Sequence, residues 1–321
     1  MTSAQVDVVT GAFSYSGAAI ARDLRAAGHD VKTLTGHPER APAGTPLAVA
    51  PLDFTDPAGL ARALHGAHTL YNTYWVRFAR GAVDHQAAIA NSAILFGAAA
   101  QAGVQRIVHV SITHPSLDSP YPYFRGKARV EQILAECGVP YAIARPAILF
   151  GGDGVLVNNI AWLLRRLPAF ALGGGGHYRI RGMHVDDLAA LCVRLGAGSD
   201  REVTDAVGPE SLTFRELVTA IRSAVGSRAV LVPVPGGLVP VLSGLLGAGL
   251  RDTLLTADEY HAMEDGLADS DGPSTGDTVF TDWVRRHGPE LGRRYANEID
   301  RHFSRGPTAA RGTPRSLPGR G

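Results

Sequence analysis

The sequence predicts an α/β protein: a doubly wound parallel sheet of the Rossmann type, with a smaller, partly helical C-terminal substrate lobe. Three observations carry this expectation. Short apolar runs alternate with helix-patterned stretches through the first half of the chain. A glycine-bearing turn, "VVTGAFSYSG", joins the first apolar run to the first helix pattern. Polar residues gather where the apolar runs end. Alternating strands and helices imply a parallel sheet covered on both faces. In such sheets ligands collect at the carboxyl ends of the strands.

The elements follow in order. Val6–Val9 reads as a strand, and "GAAIARDLRAAG" as a helix stopped by Gly28. "DVKTLT" and "LAVAPLDF" are the second and third strands, and "DPAGLARALHG" is a helix with proline in its first turn. "TLYNTYW" is a fourth strand, and Ala82 to Ala102 a long helix closed by Gly103. "RIVHVSIT", the helix "YFRGKARVEQILAECG" and the strand "YAIARPAILFG" complete six strands, expected in the order 3-2-1-4-5-6. Residues 1–152 thus form the nucleotide-binding domain and 153–303 the substrate lobe, which shares some elements with it. Within that lobe "NNIAWLLRRL" and "TFRELVTAIRSA" read as helices, the latter with Thr213 and Glu216 as a capping box. "GGGGHYRIRGMHVDDLAALCVRL" reads as a glycine loop, a short strand and a helix.

Residues 229–250 run for 22 positions without a charge, roughly the length of a membrane span. Pro233, Pro235, Pro240 and five glycines interrupt the run. In lipid those breaks would leave backbone groups unpaired. An apolar strand followed by a pocket-lining or interfacial helix is therefore expected, and a transmembrane span is not. Residues 304–321, rich in Gly, Pro and Arg, read as a disordered tail.

Composition narrows the functional classes. A chain of 321 residues, 45% hydrophobic and 19% charged, is ordinary for a globular protein. A net charge of +1 gives no basic field for nucleic acid. No signal-peptide pattern is visible at the start, and a cytoplasmic protein is expected. Cys137 and Cys192 do not make a disulfide framework. No metal-ligand spacing appears, and His65 and His68 read as a helix end and turn. A small-molecule partner is expected, and self-association is left open. Of the 31 basic residues only Lys32 and Lys127 are lysine.

A turn between a first strand and helix can cradle a pyrophosphate, because glycines permit close backbone approach and the helix N-terminus offers free N–H groups. Gly11 and Gly17 hold the outer positions of that turn, and Ser14 replaces the middle glycine. Tyr15 and Ser16 open the helix. At the end of the second strand an acidic residue would bind the ribose hydroxyls of NAD. Thr35, Gly36 and His37 offer no carboxylate there, and Arg40 lies close by, so NADP is favoured over NAD. As an alternative, Arg40 is a solvated loop charge. Asp53, beside Phe54, either accepts from an adenine amino group or caps the next helix.

"PYFRGKARVEQ" places Tyr123 and Lys127 four apart, on one face of a helix. A neighbouring ammonium is expected to lower the phenol's pKa from its ordinary ~10. The pair can then exchange a proton with a carbonyl or alcohol while a nicotinamide exchanges hydride. Ser111, ending the fifth strand, can bond the same substrate oxygen. A surface helix pair is the plainer alternative. Tyr121 is the rival tyrosine, but its partner four residues on is Arg125, which does not release a proton.

"TGAFSYSG", "YNTY", "VSIT", "YFRGK", "RPAILFG" and "HVDDLA" together resemble the short-chain dehydrogenase/reductase superfamily. They are most similar to its extended and atypical branches, the epimerase/dehydratase-like and NmrA-like proteins, over residues 5 to 225. The resemblance implies a phosphate loop at Gly11, Ser14 and Gly17, an adenine contact at Asp53, and Asn72, Thr73 and Tyr74 along the cofactor. It implies that Ser111, Tyr123 and Lys127 are catalytic and that Pro146, Ala147 and Ile148 pass the nicotinamide. Only 12 positions separate Ser111 from Tyr123, fewer than expected of a sugar-nucleotide epimerase. Arg179 and Arg181 either meet a substrate phosphate or lie on a solvated strand edge.

Two functions are in view. One is an NAD(P)-dependent oxidoreductase or epimerase acting on a carbonyl or secondary alcohol. Tyr74, Trp75 and Phe78 then point to an apolar or ring-shaped substrate. The other is a non-catalytic nucleotide-binding sensor or assembly factor; beside both, the apolar segment 229–250 is also read as a membrane-surface dock.

Overall fold

The computed structural model describes residues 5–77 and 84–299; Phe78 and the predicted tail at 304–321 lie outside that set. The first half runs β1 (Val6–Thr10), α1 (Tyr15–Ala26), β2 (Asp30–Thr35), β3 (Ala48–Pro51), α2 (Pro57–Leu64), β4 (Thr69–Asn72), α3 (His85–Gln101), β5 (Arg106–Val110), α4 (Pro122–Glu136) and β6 (Tyr141–Pro146). These are the elements the periodicity predicts, shortened at several strand ends.

The second half runs β7 (Ile148–Phe150), α5 (Val155–Arg166), β8 (Ala169–Gly173), β9 (Arg179–Ile180), β10 (Gly182–His184), α6 (Val185–Ala197) and β11 (Glu202–Ala206). It continues with β12 (Leu212–Thr213), α7 (Phe214–Ala224), β13 (Val230–Val234), α8 (Leu238–Leu250), α9 (Ala257–Glu264) and α10 (Phe280–His287). The expected capping box at Thr213 and Glu216 is formed.

The main sheet has the order β3-β2-β1-β4-β5-β6-β11, all parallel. Six strands take the expected order. The seventh comes from residues beyond 152, so the sheet crosses the domain boundary drawn from sequence. β11 alternates polar and apolar residues and has an exposed edge, which is why its sequence does not read as a buried strand.

The two faces of the sheet are covered by separate cores. Ile20 and Leu24 of α1 pack with Leu188, Leu191 and Leu195 of α6 on one side. Leu60, Leu95, Phe96, Val130 and Leu134 of α2, α3 and α4 pack on the other. A third cluster, including Phe150, Ile160, Leu217, Ile221 and Trp283, is the core of the second lobe. Small sheets join its pieces: β7 with β10, β9 with β12, and β8 with β13.

Arg106 ties the seventh strand to the rest. It is buried at the start of β5, where its Nε donates to Leu195 O at 2.7 Å and its Nη2 to Asp200 O at 2.8 Å. Both acceptors lie on the path from the end of α6 into β11. A cation at a helix C-terminus also meets the negative end of its dipole. Arg106→Met leaves two carbonyls without their donor, and we expect a loss of about 1–3 kcal/mol in urea unfolding. An unchanged midpoint would show that β11 is held by its ladder alone.

Candidate active site

One cleft of about 2500 Å³ opens along the carboxyl ends of the strands and continues into the second lobe. Ordinary ligand pockets hold roughly 300–1,000 Å³, so there is room for a dinucleotide and a second molecule. Of the residues singled out from sequence, Gly11, Ser14, Tyr15, Ser16, Thr35, Gly36, His37, Arg40, Phe54, Thr73, Tyr74, Ser111, Tyr123, Lys127, Pro146, Ala147 and Ile148 line it. Gly17, Asp53 and Asn72 do not.

Each of these three has a physical reason. Gly17 lies beneath the loop, where a Cβ would collide with the carbonyl oxygens of Gly11 and Thr10. It sets the close approach of α1 to the loop and leaves the ligand surface to others. Asp53 is exposed and accepts from Thr55 N at 2.9 Å and Thr55 Oγ1 at 2.7 Å, which hold its carboxyl below the usual range. It does not cap α2 either, since Asp56 does so by accepting from Gly59 N at 2.8 Å. Asn72 is fully buried. Its Oδ1 accepts from Thr10 Oγ1 at 3.3 Å and Tyr74 N at 3.1 Å, and its Nδ2 lies 3.0 Å from His109 Nδ1. It braces the strand ends rather than facing the cleft.

The loop itself fits a pyrophosphate. Gly11 has φ +67°, a conformation that favours glycine. Ser14 caps α1 with φ −100° and ψ 175°, which any residue adopts, so no glycine is required in the middle. Its hydroxyl donates to Gly11 O at 2.6 Å and closes the turn. Tyr15 donates to Gly151 O, 136 positions away, at 2.7 Å. At the end of β2, Thr35 Oγ1 accepts from His37 N at 3.1 Å, and His37 pairs with Glu39 at 3.0 Å. Glu39 also lines the cleft and is the carboxylate that the sequence reading passed over.

The Tyr/Lys face of α4 differs from expectation in its electrostatics. Lys127 is 3% exposed, donates from Nζ to Val110 O at 3.0 Å, and lies 4.7 Å from the Trp75 ring centroid. Burial pushes its pKa down to about 7, against a smaller opposing pull from Glu131. The Tyr123 phenol is pushed up, first by burial and then by the Glu259 carboxylate, with Arg77 opposing. The expected lowering by Lys127 is therefore corrected: burial and Glu259 raise the phenol, the only opposing cation is Arg77, and Tyr123 is a neutral phenol. The rival Tyr121 donates to Asp265 at 2.5 Å, and burial with that bond pushes it up to about 12. The Ser111 hydroxyl is buried and makes no hydrogen bond within the described residues, although it faces the cleft.

Trp75 is one of the aromatics the sequence offers past the fourth strand, whereas its neighbours His85 and Arg77 carried no sequence signal. Trp75 stacks on His85 with ring centroids 5.7 Å apart, and both meet Tyr123 edge-on at 5.7 Å. Gly126, inside α4, makes room for this packing: a Cβ there would lie 2.8 Å from the Trp75 ring. Arg77 donates to Glu259 at 2.6 Å, and Glu259 also closes the capping box of α9 with Thr256. That box was legible as a T-x-x-E spacing; its approach to Arg77, 182 positions away, was not. Arg179 and Arg181 do not reach the cleft. Arg179 is held by Ser211 and Asp269, and Arg181 by the carbonyls of Gly208, Ser270 and Gly272. Among the described residues no cluster of His, Cys, Asp and Glu could hold a metal ion.

The loop geometry yields a paired test. Ser14→Gly loses one local bond, and NADPH affinity should stay within about tenfold, or about 1.4 kcal/mol. Gly17→Ala forces α1 away from the loop and should weaken binding by more than about tenfold. Fluorescence titration of the two variants measures both, and the reverse ranking would refute this assignment of roles.

Comparison with known proteins agrees with this architecture. Residues 11–160 match the model of the NAD(P)H-binding family. A Mycobacterium tuberculosis protein described as uncharacterized is 31% identical over 216 residues, covering 66% of this chain and 23% of the relative. The chain thus spans about a quarter of the length of the first curated relatives that it matches. Triphenylmethane reductase from Citrobacter sp. superimposes with a TM-score of 0.72 at 20% identity, over 89% of this chain and 100% of that one. The NADPH-dependent quinone oxidoreductase of Escherichia coli, solved with NADPH, gives 0.70 at 21% identity, over 87% and 99%. Residues 11–160 of this protein are an NAD(P)H-binding domain, and the chain carries the fold of these two solved structures.

Proposed function

We propose that this protein is an NADPH-dependent reductase of an apolar, ring-bearing carbonyl or quinone-like acceptor. One observation carries the choice of substrate class. The second-lobe residues of the described cleft wall include no lysine or arginine, and Arg77, the cation beside them, is held by Glu259 at 2.6 Å and Glu298 at 3.6 Å. This part of the wall has Leu163, Phe170, Tyr178, Phe214, Leu254 and Met263 instead, and carboxylates such as Asp153 and Asp258. A nucleotide-sugar diphosphate would meet like charge there, which disfavours the epimerase reading. The names of the two structural relatives, a dye reductase and a quinone oxidoreductase, support the same class. Arg40, which lines the cleft just past the His37–Glu39 pair, supports NADPH over NADH, since it would meet a ribose 2′-phosphate.

NADPH, when bound, supplies the hydride. The rest of the chemistry falls to the protein. Ser111 offers its hydroxyl to the acceptor oxygen. Tyr123, kept neutral by burial and by Glu259, holds the proton that the reduced oxygen needs. Lys127, one helical turn away and steadied by Val110 O and the Trp75 face, offsets the phenolate left after transfer. The aromatic wall of Trp75 and His85 narrows the approach to Tyr123 and keeps water from it.

Turnover of NADPH against a panel of quinones, ketones and aldehydes tests this reading. Tyr123→Phe should reduce turnover by about 10²–10⁴-fold with NADPH binding unchanged. Tight NADPH binding with no turnover in the unaltered protein would leave the sensor reading in its place.

The depressed Lys127 gives a pH dependence. Its ammonium is needed in the proposed reaction and is lost as pH rises through about 7. The kcat/KM for NADPH, which follows groups of the free enzyme, should therefore fall by up to about tenfold per pH unit above that point. Lys127→Met should lower the whole profile and remove the inflection. A flat profile across neutrality in the unaltered protein would exclude the role given to Lys127.

A further inference from the structure

Most carboxylates along the cleft are held by a partner. Glu39 pairs with His37 at 3.0 Å and Asp186 with Arg22 at 2.9 Å, while Glu259 and Glu298 share Arg77 at 2.6 and 3.6 Å. Asp258, next to Glu259 on α9, lines the same cleft and makes no hydrogen bond or ion pair among the described residues. It is exposed and stands in the first turn of α9, where the helix dipole favours a negative charge. One cation, Arg77, thus faces three carboxylates at this end of the cleft.

α9 also links two groups of aromatic rings. On one side Asp265, just past the helix, accepts from Tyr121 Oη at 2.5 Å, and Tyr121 meets Phe124 edge-on at 6.1 Å. Burial and that bond raise the Tyr121 phenol, and the Asp258 charge adds to them, so carboxylate and ring share one end of the cleft. On the other side Tyr260 meets Tyr178 edge-on at 6.1 Å, and Tyr178 stacks on Phe214 with ring centroids 5.3 Å apart. Tyr121, Phe124, Tyr178 and Phe214 all line the cleft. Ser111, 4% exposed, opens onto the same cleft, and its Oγ makes no hydrogen bond among the described residues.

We propose that the cleft at α9 binds an aromatic ammonium: a ring that carries a quaternary or protonated nitrogen, with the positive end beside Asp258 and the ring among Tyr121, Tyr178 and Phe214. Two attractions then act on one ligand. The carboxylate meets the charge, and the faces of the aromatic rings attract a cation through their quadrupoles. A metal ion does not fit, since no described cluster of His, Cys, Asp and Glu could hold one. A neutral ring gains the aromatic contacts and leaves Asp258 unmatched. An anion meets like charge from Asp258, Glu259 and Glu298.

The cofactor acts in the same direction. NADPH in the trough at the strand ends brings its phosphates, and their negative charge adds to the pull on a cation. On the reductase reading the acceptor turns its carbonyl toward Ser111 and Tyr123 and its cation toward α9. That orientation rests on the reductase reading; the binding of the ammonium itself does not.

Calorimetric titration of the NADPH-loaded protein tests this without any turnover. 3-Hydroxyphenyltrimethylammonium and 3-tert-butylphenol have nearly the same shape and differ in charge. The cation should bind at least about fivefold more tightly, and added salt should narrow the gap. Asp258→Asn should remove most of the preference, and Tyr178→Leu should weaken the cation more than its neutral match. Neither residue belongs to the cofactor loop, so NADPH affinity, read by fluorescence, should be unchanged and certifies the fold. Equal or tighter binding of 3-tert-butylphenol overturns the proposal, as does failure of both compounds to bind. So does a preference that survives both substitutions. A preference that stands while no carbonyl is turned over supports the site and removes the reductase reading alone.

Discussion

The close approach of α1 to the end of β1 sets the geometry on which the site depends. Gly17 can lie against the carbonyls of Gly11 and Thr10 only because it has no Cβ. That contact aims the N-terminus of α1 into the cleft and fixes where the helix runs. From this position α1 packs on α6, Tyr15 bonds Gly151 O, and Arg22 pairs with Asp186 at 2.9 Å. A steric allowance at one residue thus places both the phosphate cradle and the second lobe. A side chain at position 17 would move all of these together, because close-packed interiors transmit such displacements.

Burial governs the chemistry of the α4 face. Taken as isolated groups, Tyr123 and Lys127 would be a neutral phenol and a permanent cation at neutral pH. Desolvation strengthens the first state and weakens the second, so the lysine titrates near the working range. Trp75 is common to both: its face meets the ammonium and its edge meets the phenol ring. Gly126 gives up helix propensity, about 1 kcal/mol against alanine, and in exchange the Trp75 indole packs close against the helix. His109, buried behind the same strand ends, is held well below its ordinary pKa by burial and then by Lys127's charge, so it is neutral beside Asn72.

The second lobe shapes the cleft without adding a cation to it. Its arginines are spent on structure: Arg165 and Arg166 bind carbonyls of residues 288–293, and Arg181 binds those of Gly208, Ser270 and Gly272. What remains along the wall is apolar surface and carboxylate. This division separates a polar trough at the strand ends from a more apolar chamber beside the second lobe, and α8 closes one side of that chamber.

The sequence by itself determined the sheet order, the cofactor loop and the Tyr123–Lys127 spacing, because periodicity, glycine placement and helical repeat are local properties of the chain. It also placed the apolar strand and helix at 229–250, since composition there is unambiguous. Tertiary structure decided the rest. Asp53 and Asn72 left the site because nearby groups satisfied them first: Thr55 donates to Asp53, and Asn72 accepts from Thr10 and donates to His109. β11 joined the sheet because Arg106 and the β6 edge lay within reach. The pKa values of Tyr123 and Lys127 moved together because desolvation depends on everything packed around a group. Glu259, 182 residues from Arg77, entered the site through a contact that no local pattern records. Spacing along the chain sets which residues share a face; burial and long-range contact set what those residues can do.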